Sequence, residues 1–187
     1  PFTTLFLCAV IMVISLAGMV EENSDIKESL NVYNECKQLK NTREVTYVRN
    51  YETNDFGKWQ IYDENIDGYW ISEINLIYHN EKIRIISYFT TDPGGDTALY
   101  LDYFFRIDGT TAYIEEDYRI LAGYNTKTVT KIYLSPTGKI VGRNIAMYDL
   151  HTEQEVKGEE NPEYKIPKIF KNTNELLKAY KVPFKKP

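Results

Sequence analysis

The sequence predicts an α+β fold: an N-terminal helix packed on a curved antiparallel β-meander of about six to eight strands, then a short C-terminal helix. Two observations support this prediction. Apolar residues recur at three- and four-residue steps early in the chain, whereas from Glu44 onward they alternate at every second position. Turn-forming Asp, Asn, Gly and Pro residues then interrupt the alternation at the short intervals that are typical of a meander.

An apolar segment precedes the predicted fold. From Phe2 to Val20 the chain carries no charged side chain, and an acidic pair follows directly. A short apolar centre followed by the small-residue pattern Ser15-Leu16-Ala17 is typical of a cleaved export signal. We therefore expect residues 1–17 to be a signal peptide, with an uncleaved membrane anchor as the alternative. Residues 18–187 are then expected to form a single exported domain that is periplasmic, secreted or bound to the cell envelope.

The N-terminal helix is predicted over residues 25–40. Its apolar stripe consists of Ile26, Leu30, Tyr33, Cys36 and Leu39. Because Cys36 lies on this stripe, we expect it to be a small buried side chain rather than a reactive thiol. It is also the one cysteine of residues 18–187, which excludes a disulfide within that part of the chain.

The strands and the last helix follow from the alternation and its breaks. Strands are predicted at 44–49, 57–62, 69–78, 82–90, 98–107, 111–120, 127–135 and 139–149. A helix is predicted at about 173–181, with Asn172 or Thr173 as its N-cap. The segments 103–110 and 131–140 resemble one another and indicate one type of hairpin used twice.

Asp108-Gly109 is a typical hairpin dipeptide and allows the strand register to be predicted. A two-residue turn there places Tyr103 opposite Ile114, and Phe105 opposite Ala112, on one face of the sheet. These four side chains are apolar in character, so this face is expected to belong to the core.

On the opposite face, the same register brings aromatic and acidic side chains together. Asp102 lies opposite Glu115, and like charges in that arrangement destabilise a sheet. We therefore expect these carboxylates to attract an Arg or Lys, a metal ion or a cationic ligand, or to share a proton as an acid/base couple. The alternative is a solvated face with Arg106, Arg119 or Lys131 nearby. The candidate ligand or partner face comprises Tyr100, Asp102, Phe104, Tyr113, Glu115 and Asp117.

The segment from Asp63 to Gly68 resembles the first half of a calcium loop of the EF-hand type. Oxygen-bearing side chains stand at its first, third and fifth positions, and a glycine follows. The twelfth position, which should be a bidentate Glu, is Ile74. We expect either a plain turn or a weak calcium site formed by Asp63, Asn65 and Asp67, and no other cofactor.

Charge is distributed unevenly along the chain. The net charge of −5 argues against a nucleic acid as partner. Residues 161–187, in contrast, hold seven Lys and two Glu, a balance of +5. The apolar residues among these lysines indicate that this basic C-terminal segment packs on the acidic body of the protein. The alternative is contact with an anionic membrane surface.

Signatures of catalysis are scarce. His79 and His151 are the two histidines, and the sequence contains no Gly-x-Ser-x-Gly, Cys-x-x-Cys or glycine-rich phosphate loop. The 16 Tyr favour a half-buried aromatic surface. We therefore predict a non-catalytic binding, carrier or envelope-associated module that takes a small apolar ligand or a protein partner on a curved sheet. The alternatives are an enzyme that uses carboxylates, with Asp102, Glu115 and Asp117 as candidates, and a structural protein of the envelope.

Overall fold

The computed structural model describes residues 24–52, 55–63, 71–157 and 164–184. It contains a helix, a curved but open antiparallel sheet of eight strands and a short second helix, which confirms the predicted α+β fold. The expected leader, residues 1–17, lies outside the described residues. Among the described residues, no helix combines the length and the apolar character that a membrane span requires.

The elements follow the predicted order closely. Helix α1 covers 24–37, and the strands are β1 (Arg43–Arg49), β2 (Tyr51–Glu52), β3 (Asp55–Phe56), β4 (Gln60–Ile61), β5 (Ser72–His79), β6 (Lys82–Thr91), β7 (Thr97–Phe105), β8 (Thr111–Ile120), β9 (Thr126–Leu134) and β10 (Ile140–Asp149). Helix α2 is Thr173–Ala179. The eight strands are ordered β10-β9-β8-β7-β6-β5-β1-β4, while β2 and β3 pair separately. From β5 to β10, each strand therefore pairs with its neighbour in sequence, as in a meander.

The C-terminal segment covers one face of the sheet, here called the inner face, which carries Leu101, Tyr103 and Ile114. Phe170 and Val182 from this segment, and Leu176 and Leu177 from α2, are buried against the sheet. Asn172 caps α2, because its side-chain oxygen accepts a hydrogen bond from the backbone N–H of Glu175 at 3.0 Å. The main core is therefore a sandwich of sheet and C-terminal chain.

Helix α1 packs on the opposite face, here called the outer face. Val32 and Cys36 are buried there, and the hydroxyl of Ser29 donates a hydrogen bond to the carbonyl oxygen of Ala112 at 2.6 Å. The buried line of α1 thus runs through Ser29 as well as the predicted Cys36, while Leu30 is half-buried. The buried face of α1 is therefore rotated relative to the predicted apolar stripe. Ser29 occupies a core position because its hydroxyl has a hydrogen-bond partner, and the periodicity of apolar residues does not reveal such a position.

Two buried arginines hold α1 against the sheet. Arg106 donates hydrogen bonds from Nε and Nη2 to the carboxylate of Glu28 at 2.9 and 2.6 Å, and Arg84 forms an ion pair with Glu35 at 3.2 Å. Both guanidinium groups also donate to backbone carbonyl oxygens of the sheet. The pair of Arg106 with Glu28 is bidentate, whereas Arg84 reaches Glu35 through Nη2 alone and donates from Nε to the carbonyl oxygen of Phe105.

The hairpin at Asp108-Gly109 differs from the predicted two-residue turn. The N–H of Gly109 donates to the carbonyl oxygen of Arg106, and Phe105 pairs with Thr111 instead of the predicted Ala112. Ala112 is the extra residue of a β-bulge, which restores the predicted register from Phe104 onward. The predicted pairing of Phe105 with Ala112 was therefore wrong. A bulge shifts the strand register, and the periodicity of the sequence gives no sign of it.

Candidate functional site

The predicted register of the outer face is confirmed. Tyr100 pairs with Asp117, Asp102 with Glu115, and Phe104 with Tyr113. Phe104 and Tyr113 are, however, almost completely buried beneath α1, where Tyr33 contacts their rings at centroid distances of 4.9 and 4.7 Å. These two aromatics therefore pack the helix onto the sheet.

Each carboxylate of the predicted face lies next to a cation. Asp102 lies 3.9 Å from Nζ of Lys37, and Glu115 lies 3.7 Å from Nζ of Lys131. Asp117 accepts two hydrogen bonds from Arg119, at 2.8 and 3.0 Å. Lys131 and Arg119 are two of the three cations that the sequence predicted near these carboxylates. The third, Arg106, binds Glu28 instead. The contact of Lys37 with Asp102 was not predicted, because Lys37 comes from α1.

Tyr100 is the exposed aromatic of this face, with 42% of its surface accessible. Its ring lies 4.9 Å from that of Phe89, and the guanidinium carbon of Arg119 lies 4.7 Å from its centroid. Cation–π contact and the Asp117 pair together fix Arg119 in place. The exposed part of the outer face is thus a charge-balanced aromatic surface.

A second candidate site, here called the Trp59 pocket, lies where the end of α2 and the residues after it meet the end of β1 and the loop before β4. Its volume is about 610 Å³. Its described lining residues are Arg49, Gly57, Lys58, Trp59, Ala179, Tyr180, Lys181 and Pro183. The lining combines residues more than a hundred positions apart, so no local motif in the sequence could predict it.

Trp59 and Arg49 form the rigid part of this pocket. The indole Nε1 of Trp59 donates a hydrogen bond to the carbonyl oxygen of Tyr180 at 2.7 Å, which ties the loop before β4 to the end of α2. The guanidinium carbon of Arg49 lies 4.4 Å from the Trp59 ring centroid, and Nη2 of Arg49 donates to the hydroxyl of Tyr88 at 3.4 Å. Arg49 is therefore held in a defined orientation beside the pocket.

Lys181 contributes a strained backbone to the same pocket. It directly follows the C-cap of α2, with φ of 55°, and its N–H donates to the carbonyl oxygen of Lys178. The next N–H, that of Val182, donates to the carbonyl oxygen of Leu177. This is the Schellman arrangement, in which the left-handed position usually belongs to glycine. A lysine at this position is therefore unfavourable for the backbone.

A third group surrounds Glu116 on the inner face. Glu116 is 3% exposed, and its carboxylate accepts a hydrogen bond from the hydroxyl of Tyr164. Its Oε1 has no hydrogen-bond partner among the described residues. Burial raises the pKa of Glu116 to about 7, an effect that the Tyr164 hydrogen bond only partly offsets. Tyr164 also shares a hydrogen bond with Thr130. The carboxyl group thus lies inside the core rather than at a surface open to substrate.

The predicted calcium ligands are largely outside the described residues. Asp63 is exposed, whereas Asn65 and Asp67 are not described. Within the described part of the chain, no group of three or more His, Cys, Asp or Glu side chains is placed to hold a metal ion. The calcium site therefore stays a prediction from sequence.

The Trp59 pocket joins a cavity of about 610 Å³ to basic residues and an aromatic wall. The outer face is neutralised by its own ion pairs, and Glu116 is enclosed. Comparisons of the chain with protein-family models, with curated proteins and with solved structures found no match.

Proposed function

We propose that the protein is an exported, non-catalytic binding module that takes up a small ligand in the Trp59 pocket. The observation that carries this proposal is the pocket itself: about 610 Å³ beside a buried tryptophan, with a guanidinium group held against the ring. Small-molecule sites are typically concave, partly aromatic and about 300–1,000 Å³ in volume, with few polar groups that fix orientation.

The chemistry of the lining supports binding rather than catalysis. None of its described residues is a His, Cys, Ser, Thr, Asp or Glu, the side chains that most often act as nucleophile or general acid/base. The carboxylates of the outer face support the enzyme alternative less well, because each has its own cationic neighbour. Such pairing favours a stable surface over a carboxylate couple that shares one proton.

The test is native mass spectrometry on full-length protein recovered from the exported fraction, before and after denaturation. A ligand held in the pocket gives an adduct that denaturation removes. Ala179→Trp places a bulky ring over the pocket from an exposed position of α2, and we expect it to abolish the adduct.

Asn174→Trp is the matched control, because Asn174 is also exposed on α2 but does not line the pocket. An adduct that survives in both variants, or that disappears in both, would contradict the assignment of the ligand to this pocket. The absence of any adduct in the wild-type protein would contradict tight binding of a small ligand.

A further inference from the structure

Part of the chain that leads into α2 crosses the inner face of the sheet without regular secondary structure. This part, residues 164–168, is here called the strap. At its start, Tyr164 shares a hydrogen bond with Thr130 of β9. At its end, the carbonyl oxygen of Lys168 accepts a hydrogen bond from the hydroxyl of Tyr103 of β7 at 2.6 Å. Within the described residues, no hydrogen bond joins the strap to another backbone group, so its attachment depends on a few side chains.

Tyr164 holds the strap over Glu116, the buried acid of β8. The hydroxyl of Tyr164 donates a hydrogen bond to the carboxyl group of Glu116, and its ring centroid lies 6.2 Å from that of Tyr118. Oε1 of Glu116 and the hydroxyl oxygen of Thr128 are both buried, and neither has a hydrogen-bond partner among the described residues. Because a buried polar atom without a partner is unfavourable, the closed strap carries a cost at Glu116 that water would remove.

The titratable side chains that face Glu116 are uncharged near neutral pH. They are tyrosines from three elements packed around it: Tyr103 of β7, Tyr164 of the strap and Tyr180 at the C-cap of α2. Burial raises the pKa of each of these phenols above its ordinary value. They offer hydroxyl groups to a carboxylate but no positive charge.

The cations of the neighbourhood do not pair with Glu116 either. Arg143 of β10 lies near Tyr164, Arg49 of β1 lies near Tyr180, and the two lysines of the strap are exposed. No ion pair found among the described residues includes Glu116. A charge that is buried without a partner is far less favourable than a neutral acid at the same place.

From this geometry we propose that the strap is a pH-operated cover of the inner face, held closed while Glu116 is protonated and released when Glu116 ionises. The inference does not rest on the proposed binding function. Opening hydrates Glu116 and returns its pKa from about 7 toward the ordinary 4.5, since burial outweighs the opposing effect of the Tyr164 hydrogen bond. The open state then binds fewer protons, so a rise in pH favours it. Between pH 6 and pH 8 the equilibrium constant for opening should rise about tenfold.

The experiment is limited proteolysis of the full-length protein with trypsin at pH 6 and pH 8. Trypsin cleaves after Lys165 and Lys168 when the strap leaves the sheet, and mass spectrometry measures the rate at each bond. Each rate is divided by the cleavage rate of a synthetic peptide of residues 158–174 at the same pH, which removes the pH dependence of the protease. We expect the corrected rates in the strap to be about tenfold higher at pH 8.

Three variants assign this effect to Glu116 and Tyr164. Glu116→Gln keeps the shape of the protonated acid but cannot ionise, so its strap should be cleaved equally slowly at both pH values. Glu115→Gln is the matched control, because it makes the same substitution at the next residue, on the outer face, and should retain the tenfold rise. Tyr164→Phe removes the hydroxyl that holds the strap and should be cleaved faster than the wild type at both pH values.

Cleavage within α2 separates a moving strap from unfolding of the whole C-terminal chain. Because α2 is buried against the sheet through Leu176 and Leu177, the bond after Lys178 should be cleaved more slowly at pH 8 than the bond after Lys168. Equal rates at these two bonds would overturn the proposal. Wild-type rates that do not change with pH, a rise that persists in Glu116→Gln, or a wild-type rate in Tyr164→Phe would also overturn it.

Discussion

Glu116 is the residue whose surroundings conflict most with its charge. It lies on the inner face among tyrosines, and one of its carboxylate oxygens has no partner within the described part of the chain. Burial favours the neutral form, so the pKa rises from 4.5 to about 7. The folded protein therefore holds a proton at Glu116 that the unfolded chain releases between these two values.

The sign of the pH dependence follows from this difference. Below pH 4.5 both states are protonated, and Glu116 imposes no penalty on folding. As pH rises from 4.5 to about 7, the unfolded chain releases its proton while the folded protein still holds it, so stability falls by about 3 kcal/mol, taking 1.36 kcal/mol per pKa unit; above 7 both states are ionised and the loss is complete. Glu116→Gln should remove this loss, so urea unfolding at pH 8 should show a more stable variant. Equal stability of the two proteins at pH 8 would contradict a raised pKa.

Glu81 is a second residue with an unfavourable backbone. Asn80 and Glu81 connect β5 to β6 with φ values of 49° and 60°, the left-handed pair of a type I′ turn. Asparagine suits the first position, but the second normally takes glycine. Glu81→Gly is expected to stabilise the protein by about 0.5–1 kcal/mol, measured as a rise in Tm.

The ion pair of Glu81 with Arg43 does not outweigh this gain, since both side chains are largely exposed. Arg43→Gln serves as the control that removes the ion pair alone. If Glu81→Gly and Arg43→Gln were destabilised to the same extent, the ion pair would contribute more to stability at this turn than the relief of backbone strain.

At the level of elements, the two similar hairpins use the same turn. The N–H of Gly109 donates to Arg106 and that of Gly138 to Ser135, and the two glycines have φ values of 86° and 80°. The predicted repeated hairpin is thereby confirmed. The first of these turns also contacts the start of α2, since Thr173 donates its N–H to the carbonyl oxygen of Gly109. This turn therefore both shapes the sheet and positions the C-terminal helix.

Substitution of either turn glycine tests this requirement. Gly109→Ala should destabilise the protein by about 1–2 kcal/mol, because an L-residue in the left-handed region is strained. Gly109→Asn should cost less, since asparagine tolerates this region better. Denaturant unfolding curves of the two variants give the comparison. If Gly109→Asn were less stable than Gly109→Ala, steric contacts of the new side chain, and not backbone strain, would determine the loss of stability.

The elements show what the sequence could and could not predict. Strands β5 to β10 were found within a few residues, because apolar and polar residues alternate along much of this part of the sequence. The two-residue strands β2 and β3 were missed, since they are too short for a period to be visible. The Trp59 pocket could not be predicted either, because Trp59 and Lys181 come together only through tertiary structure. Asp102 and Glu115, in contrast, lie on adjacent strands that one short turn connects.

At the level of the whole molecule, the basic C-terminal segment is part of the core. Leu176 is completely buried, and Tyr103 donates its hydroxyl to the carbonyl oxygen of Lys168 at 2.6 Å. None of the ion pairs found among the described residues involves a lysine of 164–184. Apolar burial, rather than attraction between the basic segment and the acidic body, therefore holds this chain in place.

Two substitutions on α2 separate these forces. Leu176→Ala should destabilise the protein by about 2–5 kcal/mol, because it removes a fully buried side chain and leaves a cavity. Lys178→Ala, on the exposed side of the same helix, should change stability by less than about 0.5 kcal/mol. Urea unfolding in low and high salt measures both. A salt-sensitive loss in Lys178→Ala larger than that in Leu176→Ala would mean that electrostatics governs docking.

The burial of residues 170–182 against strands from the middle of the chain also has a consequence for how the polypeptide is made. A growing chain emerges from its N-terminus, so the inner face of the sheet is complete before the residues that cover it have been synthesised. Until then, its aromatic and aliphatic side chains have no covering layer, and the sheet cannot reach its final stability. Folding is therefore completed only once residues 170–182 have been synthesised.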